Sequence, residues 1–316
     1  MSESPAPGGS VTGAEPGSGI AATAPRRPRL DALAVRRQLR QDGLRARHSL
    51  SQNFLADPDV LQSILDLADP REGRRVLEVG PGLGILTGGL LDGGALVTAV
   101  ELDRGLAERL TRAQPDALER GALRVVQGDI LDQKIAELMK PPYEVVANVP
   151  YHITSPILHR FLTEPPRPER LVLMLQREVA ERISAAPGAM SYLSVFVQYH
   201  AAVRIAFVVP RQAFEPAPAV ESAVVEITTL DPRGERPRLA APDEEHLWRV
   251  VQAGFRERRK KLHNVLSRQL ALPGVAVQAA LDGAGIDGDR RPQTLSVEEW
   301  LALSAVLRAI QGGTGR

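Results

Sequence analysis

The sequence predicts an α/β protein, with a doubly wound, mostly parallel seven-stranded sheet followed by a small all-α C-terminal domain. Three observations carry that expectation. Strand-like apolar runs alternate with helix-like stretches in "RRVLEVG", "ALVTAVELD", "LRVVQGD", "YEVVANV" and "RLVLMLQ", and such alternation favours parallel strands joined by crossover helices. Two later runs, "RIAFVVP" and "AVVEITTL", are joined by a Pro-containing loop without a clear crossover helix, so an antiparallel pair at the sheet edge is expected. Beyond "DPRGERPRLAAP", residues 231–242, which reads as a linker, helical patterns run to the end.

Residues 1–28 are rich in Gly, Pro, Ser and Ala without a hydrophobic period, the composition of a disordered extension. They hold no apolar run of the secretory kind. Arg26, Arg27 and Arg29 after a Ser/Ala-rich stretch leave an organelle transit peptide open, and Glu3 and Glu15 count against it. Arginines are then dense (Arg36, Arg37, Arg40, Arg45, Arg47), and "DPDVLQSILDLA" starts a helix with Asp57 as cap and Pro58 at the first helical position. The larger domain is therefore expected over 29–232, with a helical N-terminal segment, and the helical one over 241–316.

Composition removes several function classes. The 316 residues include no cysteine, which excludes disulfides, thiolate metal sites and a Cys nucleophile, and agrees with a cytoplasmic, reducing setting. No stretch approaches the roughly 20 apolar residues of a membrane span. Net charge is +1, so attraction to nucleic acid must come from local patches. The six histidines show no metal-ligand spacing, so no metal is assigned.

"LEVGPGLGILT" places Gly80, Gly82 and Gly84 at the end of the first long strand, where an open parallel sheet has its ligand crevice. The G-x-G-x-G spacing misses the G-x-G-x-x-G of dinucleotide folds, because Ile85 stands where the third glycine would be; an NAD-dependent enzyme is disfavoured. Glu101 ends the next strand, where a carboxylate can accept both hydroxyls of a ribose, and Asp129 ends the third, placed to reach the amino edge of an adenine. Each acid alone reads as a strand-end cap. Three successive strand ends carrying Gly, Glu and Asp resemble the S-adenosylmethionine (SAM) site of Rossmann-like class I methyltransferases.

The fourth strand ends in "VVANVPYHITSPIL". Asn148, Pro150 and Tyr151 match the Asn/Asp-x-Pro-Tyr/Phe motif of methyltransferases acting on adenine amines. The amine is a poor nucleophile because its lone pair is delocalised into the ring. An Asn148 oxygen and a carbonyl of Val149 or Pro150 can accept its two hydrogens as the nitrogen becomes pyramidal. Pro150 fixes the backbone carrying those acceptors, and Tyr151 offers a face for an unstacked base. His152 lies beside the motif, but an amine product can lose its proton to solvent, so it is given no role as base.

Over about Ser49 to Arg268 the chain closely resembles the small-subunit rRNA adenine dimethyltransferases of the KsgA type. "SQNFLADPDV", "LMLQREVAERI", "SVFVQYH", "FEPAPAVESAVV" and "FRERRKKLHNVL" carry the resemblance beside the strand-end motifs. It implies SAM contacts at Asn53, Leu55, Gly80, Gly82, Glu101, Asp129 and Asn148, and Phe214 packed on the target base opposite Tyr151. It also implies a monomer whose substrate is 16S rRNA in a 30S precursor. Arg256, Arg258, Arg259, Lys260 and Lys261 are too many neighbouring cations for one helix face, a density suited to phosphate contacts. Ala147 replaces a usual Gly, Val149 a usual Leu, and "AMSYLSV" lacks a Gly common after the Tyr, which puts the local loop shape in question. Two alternatives stand beside this expectation. One is an erythromycin-resistance type 23S rRNA adenine methyltransferase, disfavoured by Ser155-Pro156; the other is an assembly or transcription factor that only binds RNA, disfavoured by the intact motif.

Overall fold

The computed structural model describes residues 31–44, 52–235 and 238–313; the N-terminal extension, Arg45 and Arg47 lie outside them. The strands are β1 (Phe54–Leu55), β2 (Arg75–Val79), β3 (Leu96–Glu101), β4 (Leu123–Gln127), β5 (Glu144–Asn148), β6 (Arg170–Gln176), β7 (Ala201–Val209), β8 (Phe214–Glu215) and β9 (Ser222–Thr229). Seven of them form one sheet in the order β4-β3-β2-β5-β6-β9-β7. The first five run parallel, and β9 lies antiparallel between β6 and β7. The edge pair expected from the sequence is thus present, with β7 outermost.

The central strands read as nearly continuous apolar runs because helices cover both faces of the sheet. Leu77, Val145 and Leu171 stand in register across β2, β5 and β6 and bury against one helical layer. Val76, Val146 and Val172 point to the other layer, as the two-residue alternation of a strand requires. The helix Pro58–Ala68 starts as its sequence predicts, with Asp57 accepting from the amides of Asp59 and Val60 at 2.9 and 3.1 Å. At the amino ends of the strands, Arg170 bonds Glu144, Glu226 and the carbonyls of Leu67 and Ala68. That guanidinium ties the last turn of the helix to the sheet.

Four longer helices, Ala241–Phe255, Leu262–Gln269, Gly274–Gly283 and Val297–Gly313, pack around the fully buried Trp300. Gly254 is required there, since a Cβ would lie 2.5 Å from the Trp300 ring. The same apolar cluster takes in Met190, Val195 and Tyr199, so these helices share a core with the helix Tyr192–His200. The "AMSYLSV" loop needs no glycine after its tyrosine. Tyr192 and Leu193 already belong to that helix, which Ser191 and Ser194 close with reciprocal caps, and the amides of Gly188 and Met190 dock on the carbonyl of Gln293.

Candidate active site at the carboxyl ends of the strands

The chain leaves β2 toward β3 and β4 on one side and returns to β5 on the other. That reversal opens a crevice at the carboxyl ends of the strands. A cleft open to solvent lies there, in the place where open parallel sheets bind their ligands. Asn53, Leu55, Gly80, Gly82, Glu101, Asp129, Asn148, Pro150 and Tyr151 all line it.

The glycine turn is shaped by its backbone. Gly82 has φ of 56°, and a Cβ there would sit 3.1 Å from the Phe54 ring. Gly84, at φ 71°, begins the helix Ile85–Asp92, and a Cβ on it would meet Leu110 at 2.6 Å. Left-handed backbone and close neighbours together leave room only for glycine. The Gly82 amide donates to Glu101 Oε2 at 3.0 Å, and the Asp103 amide to Oε1 at 2.9 Å. A carboxylate has lone pairs left after two such bonds; it is held in one pose and still able to accept from a ligand. Burial pushes Glu101 up, and those backbone donors oppose the shift. Asp129 accepts from the Leu131 amide at 2.8 Å.

Asn148 ends β5, and its Nδ2 donates to the carbonyl of Asn53 at 3.1 Å. A carbonyl can only accept, so the amide orientation is set and Oδ1 remains the acceptor. Of the two backbone candidates, the Pro150 carbonyl already accepts from the Ile153 amide at 3.1 Å, closing the turn Tyr151–Ile153. Val149 donates to the Met174 carbonyl, and its own carbonyl takes no backbone donor outside helices and strands among the described residues. Tyr151 is partly buried, with its hydroxyl 2.8 Å from Ser222 Oγ, and burial pushes the phenol up so that it stays protonated.

Phe214 departs from the expectation. Its ring is 2 % exposed and it does not line the cavity. β8 pairs antiparallel with β1, opposing Phe214 to Leu55, and the ring packs into the apolar layer with Val224. Arg256 to Lys261 do not line the cavity either. They occupy the turn after the helix Ala241–Phe255. Arg256 bonds Gln269 and Lys261 pairs with Asp289. Arg258, Arg259 and Lys260 are exposed without an ion pair among the described residues.

Sequence reasoning missed three parts of the site. Glu78 lines the cavity at 1 % exposure, bonded to Thr87 Oγ1 at 2.6 Å. Burial pushes its carboxyl up to about 8, the Thr87 bond opposing and the Glu101 charge adding to the shift. A lone acid inside "RVLEV" was the signal available. Leu102, large, apolar and 44 % exposed, stands at the lip beside Glu101. The helix Ala32–Gln41 packs Val35 and Leu39 against Phe54, Leu83 and Leu106, three of the lining residues, and so backs the outer wall. Arg36 pins that helix to Glu215 on β8 at 2.7 Å.

A glycine turn, two acidic strand ends and an amide-led fourth strand end around one crevice define a methyltransferase-type nucleotide site. The family profile of ribosomal RNA adenine dimethylase matches residues 43–309, and the chain belongs to that family. It is 42% identical over 281 residues to ribosomal RNA small subunit methyltransferase A of Geobacter metallireducens, covering 87% of this chain and 100% of the relative. The protein of that name from Moorella thermoacetica is 40% identical over 282 residues, covering 85% and 95%. Among solved structures, 23S rRNA methyltransferase ErmE is 31% identical with a TM-score of 0.64, over 81% of this chain and 100% of that one. A dimethyladenosine transferase from Plasmodium falciparum, 23% identical, shares the fold with a TM-score of 0.68 over 82% and 98%.

Proposed function

We propose that this enzyme transfers methyl groups from SAM to the exocyclic amines of two adjacent adenosines in the 3′-terminal hairpin of 16S rRNA, within a 30S precursor. Family membership supports the reaction class. One observation carries the reading at this site: Asn148 to Tyr151 end β5 in the same cavity as the glycine turn, Glu101 and Asp129. The reading includes action as a monomer in the cytoplasm; among the described residues no helix is long and apolar enough to cross a membrane.

The lining fits SAM. Glu101, pinned by two amides, suits a ribose diol; Asp129 suits an adenine amino edge; Leu102 and Ile130 give the base an apolar flank. Asn53, Leu55, Gly80 and Gly82 complete the cofactor's walls. Bound there, SAM supplies a methyl group on a sulfonium, electrophilic enough to be transferred directly. No cluster of residues able to hold a metal occurs among the described residues.

The chain's own contribution is to prepare the amine. Asn148 Oδ1 and the Val149 carbonyl accept its two hydrogens, which frees the nitrogen lone pair from the ring and favours the transition state over the planar ground state. Pro150 holds those acceptors together, and Tyr151 supports the ring carrying the amine, so position rather than acid–base chemistry does most of the work. Phe214, opposite Leu55 in the β1–β8 ladder and buried in the apolar layer, supports that wall of the site. Arg258, Arg259 and Lys260 supply phosphate contacts, with Arg256 and Lys261 flanking them.

The test offers radiolabelled SAM with unmethylated 30S particles, 50S particles or free rRNA. Label in 30S particles is expected. Label confined to 50S would transfer the assignment to the 23S alternative, and label in none would remove the catalytic reading.

A further inference from the structure

Tyr151 stands on a single 3-10 turn, Tyr151–Ile153, that has no side-chain cap. Nothing in that turn fixes where the far end of the ring points. Its hydroxyl, however, lies 2.8 Å from the hydroxyl of Ser222. Ser222 is fully buried and opens β9, where it sits in register with Gln176 on β6 and Val209 on β7. A residue flanked by strands on both sides is among the least mobile in a sheet. The start of β9 is clamped further, because the Arg177 amide donates to the Glu221 carbonyl at 3.0 Å and the two side chains pair at 2.9 Å. Ser222 also shares a sheet face with Val224, two residues on, which lines the cavity. A rigid strand therefore holds the tip of a ring whose base rests on a turn.

We propose that Ser222 is a positioning residue for methyl transfer, acting through Tyr151 by holding its phenol so that the ring presents one fixed face to the target base. The proposal rests on the reading of Tyr151 as the support for that base. An aromatic ring alone would suffice for stacking; the hydroxyl adds the second point that defines the ring's angle. Ser222 touches neither base nor methyl group in this scheme.

A double-mutant cycle tests it, with Ser222→Ala, Tyr151→Phe and the pair, measured by single-turnover methylation of 30S particles. Each single change removes the same bond from opposite ends. Losing one net hydrogen bond corresponds to a rate loss of about three- to tenfold. Each single variant is expected to fall in that range, with SAM affinity and the particle concentration at half-maximal rate within about twofold of wild type. The double variant is expected to be no slower than either single one, because the bond is already gone. Unchanged rates in either folded single variant, or losses that multiply in the pair, would overturn the proposal. If Ser222→Ala does not fold, Tyr151→Phe alone still decides whether the hydroxyl matters. Tyr151→Ala keeps the outcomes separate: full turnover in that variant would remove the base-support reading itself, whereas a large loss there with an unchanged Ser222→Ala rate would sink only the role of Ser222.

Discussion

The Asn148 side chain donates its amide hydrogen to the backbone carbonyl of Asn53 across 3.1 Å. One bond therefore joins the strand end proposed to meet the substrate to the segment proposed to line the cofactor's side, and it decides which end of the amide is left to accept. Asn148→Ala removes both functions. Loss of one acceptor aimed at a transition state costs about 100- to 1,000-fold, so kcat should fall by that order while SAM affinity changes less than tenfold. Single-turnover rates beside equilibrium dialysis check the split; an equal loss in both would make Asn148 chiefly a cofactor contact.

Glu101 is the reverse case. Its carboxylate orders the Gly82 turn and faces the cavity, so its removal should act on binding. Charge-assisted bonds of roughly 1.5–3 kcal/mol translate into about a 10- to 100-fold weaker SAM Kd for Glu101→Ala, measured calorimetrically. A variant that binds SAM normally would remove the ribose role.

Glu78 makes stability depend on pH in a definite direction. Its carboxyl is raised from 4.5 to about 8 by burial, so between those values the folded protein holds a proton that the unfolded chain has lost. The contribution is complete below the unfolded carboxyl range, declines as pH rises toward 8 and is then exhausted, with a slope of at most about 1.4 kcal/mol per pH unit. Denaturant unfolding of the ligand-free protein at pH 6 and pH 8 should show that decline, and Glu78→Gln should flatten it. Parallel wild-type and variant profiles would contradict the assignment.

The exposed turn at Arg258, Arg259 and Lys260 predicts salt dependence. Each phosphate contact contributes roughly 0.7–0.9 to the slope of log affinity against log salt. Replacing all three by Gln should lower that slope for 30S binding by about 2–3 and leave SAM affinity intact. An unchanged slope would make the turn ordinary solvated surface.

The parts of the site legible in the sequence are those whose residue types are set by chemistry at a strand end. Gly82, Glu101, Asp129 and Asn148 each follow a recognisable apolar run, and the doubly wound order then brings such ends to one crevice. The edge pair β7 and β9 was legible for a similar reason, since no crossover helix lies between them. What escaped depends on contacts distant in sequence. Nothing near Phe54 announces that it will pair with Glu215, or that the neighbouring Phe214 ring will be buried in the apolar layer. Arg36 reads as one of many arginines until Glu215 is placed beside it. Ser222 lies within a quoted motif, but its partner is 71 residues away. The linker composition of 231–242 gives no hint that the helices beyond it share a core with Met190, Val195 and Tyr199.

Product identity tests the central claim most directly. After wild-type enzyme acts on unmethylated 30S particles with SAM, nuclease digestion of the 16S rRNA and mass spectrometry should find N6,N6-dimethyladenosine at two adjacent positions of the terminal hairpin, and almost none with Asn148→Ala. Methylation at a ribose or another base, or undiminished dimethyladenosine with Asn148→Ala, would contradict the account.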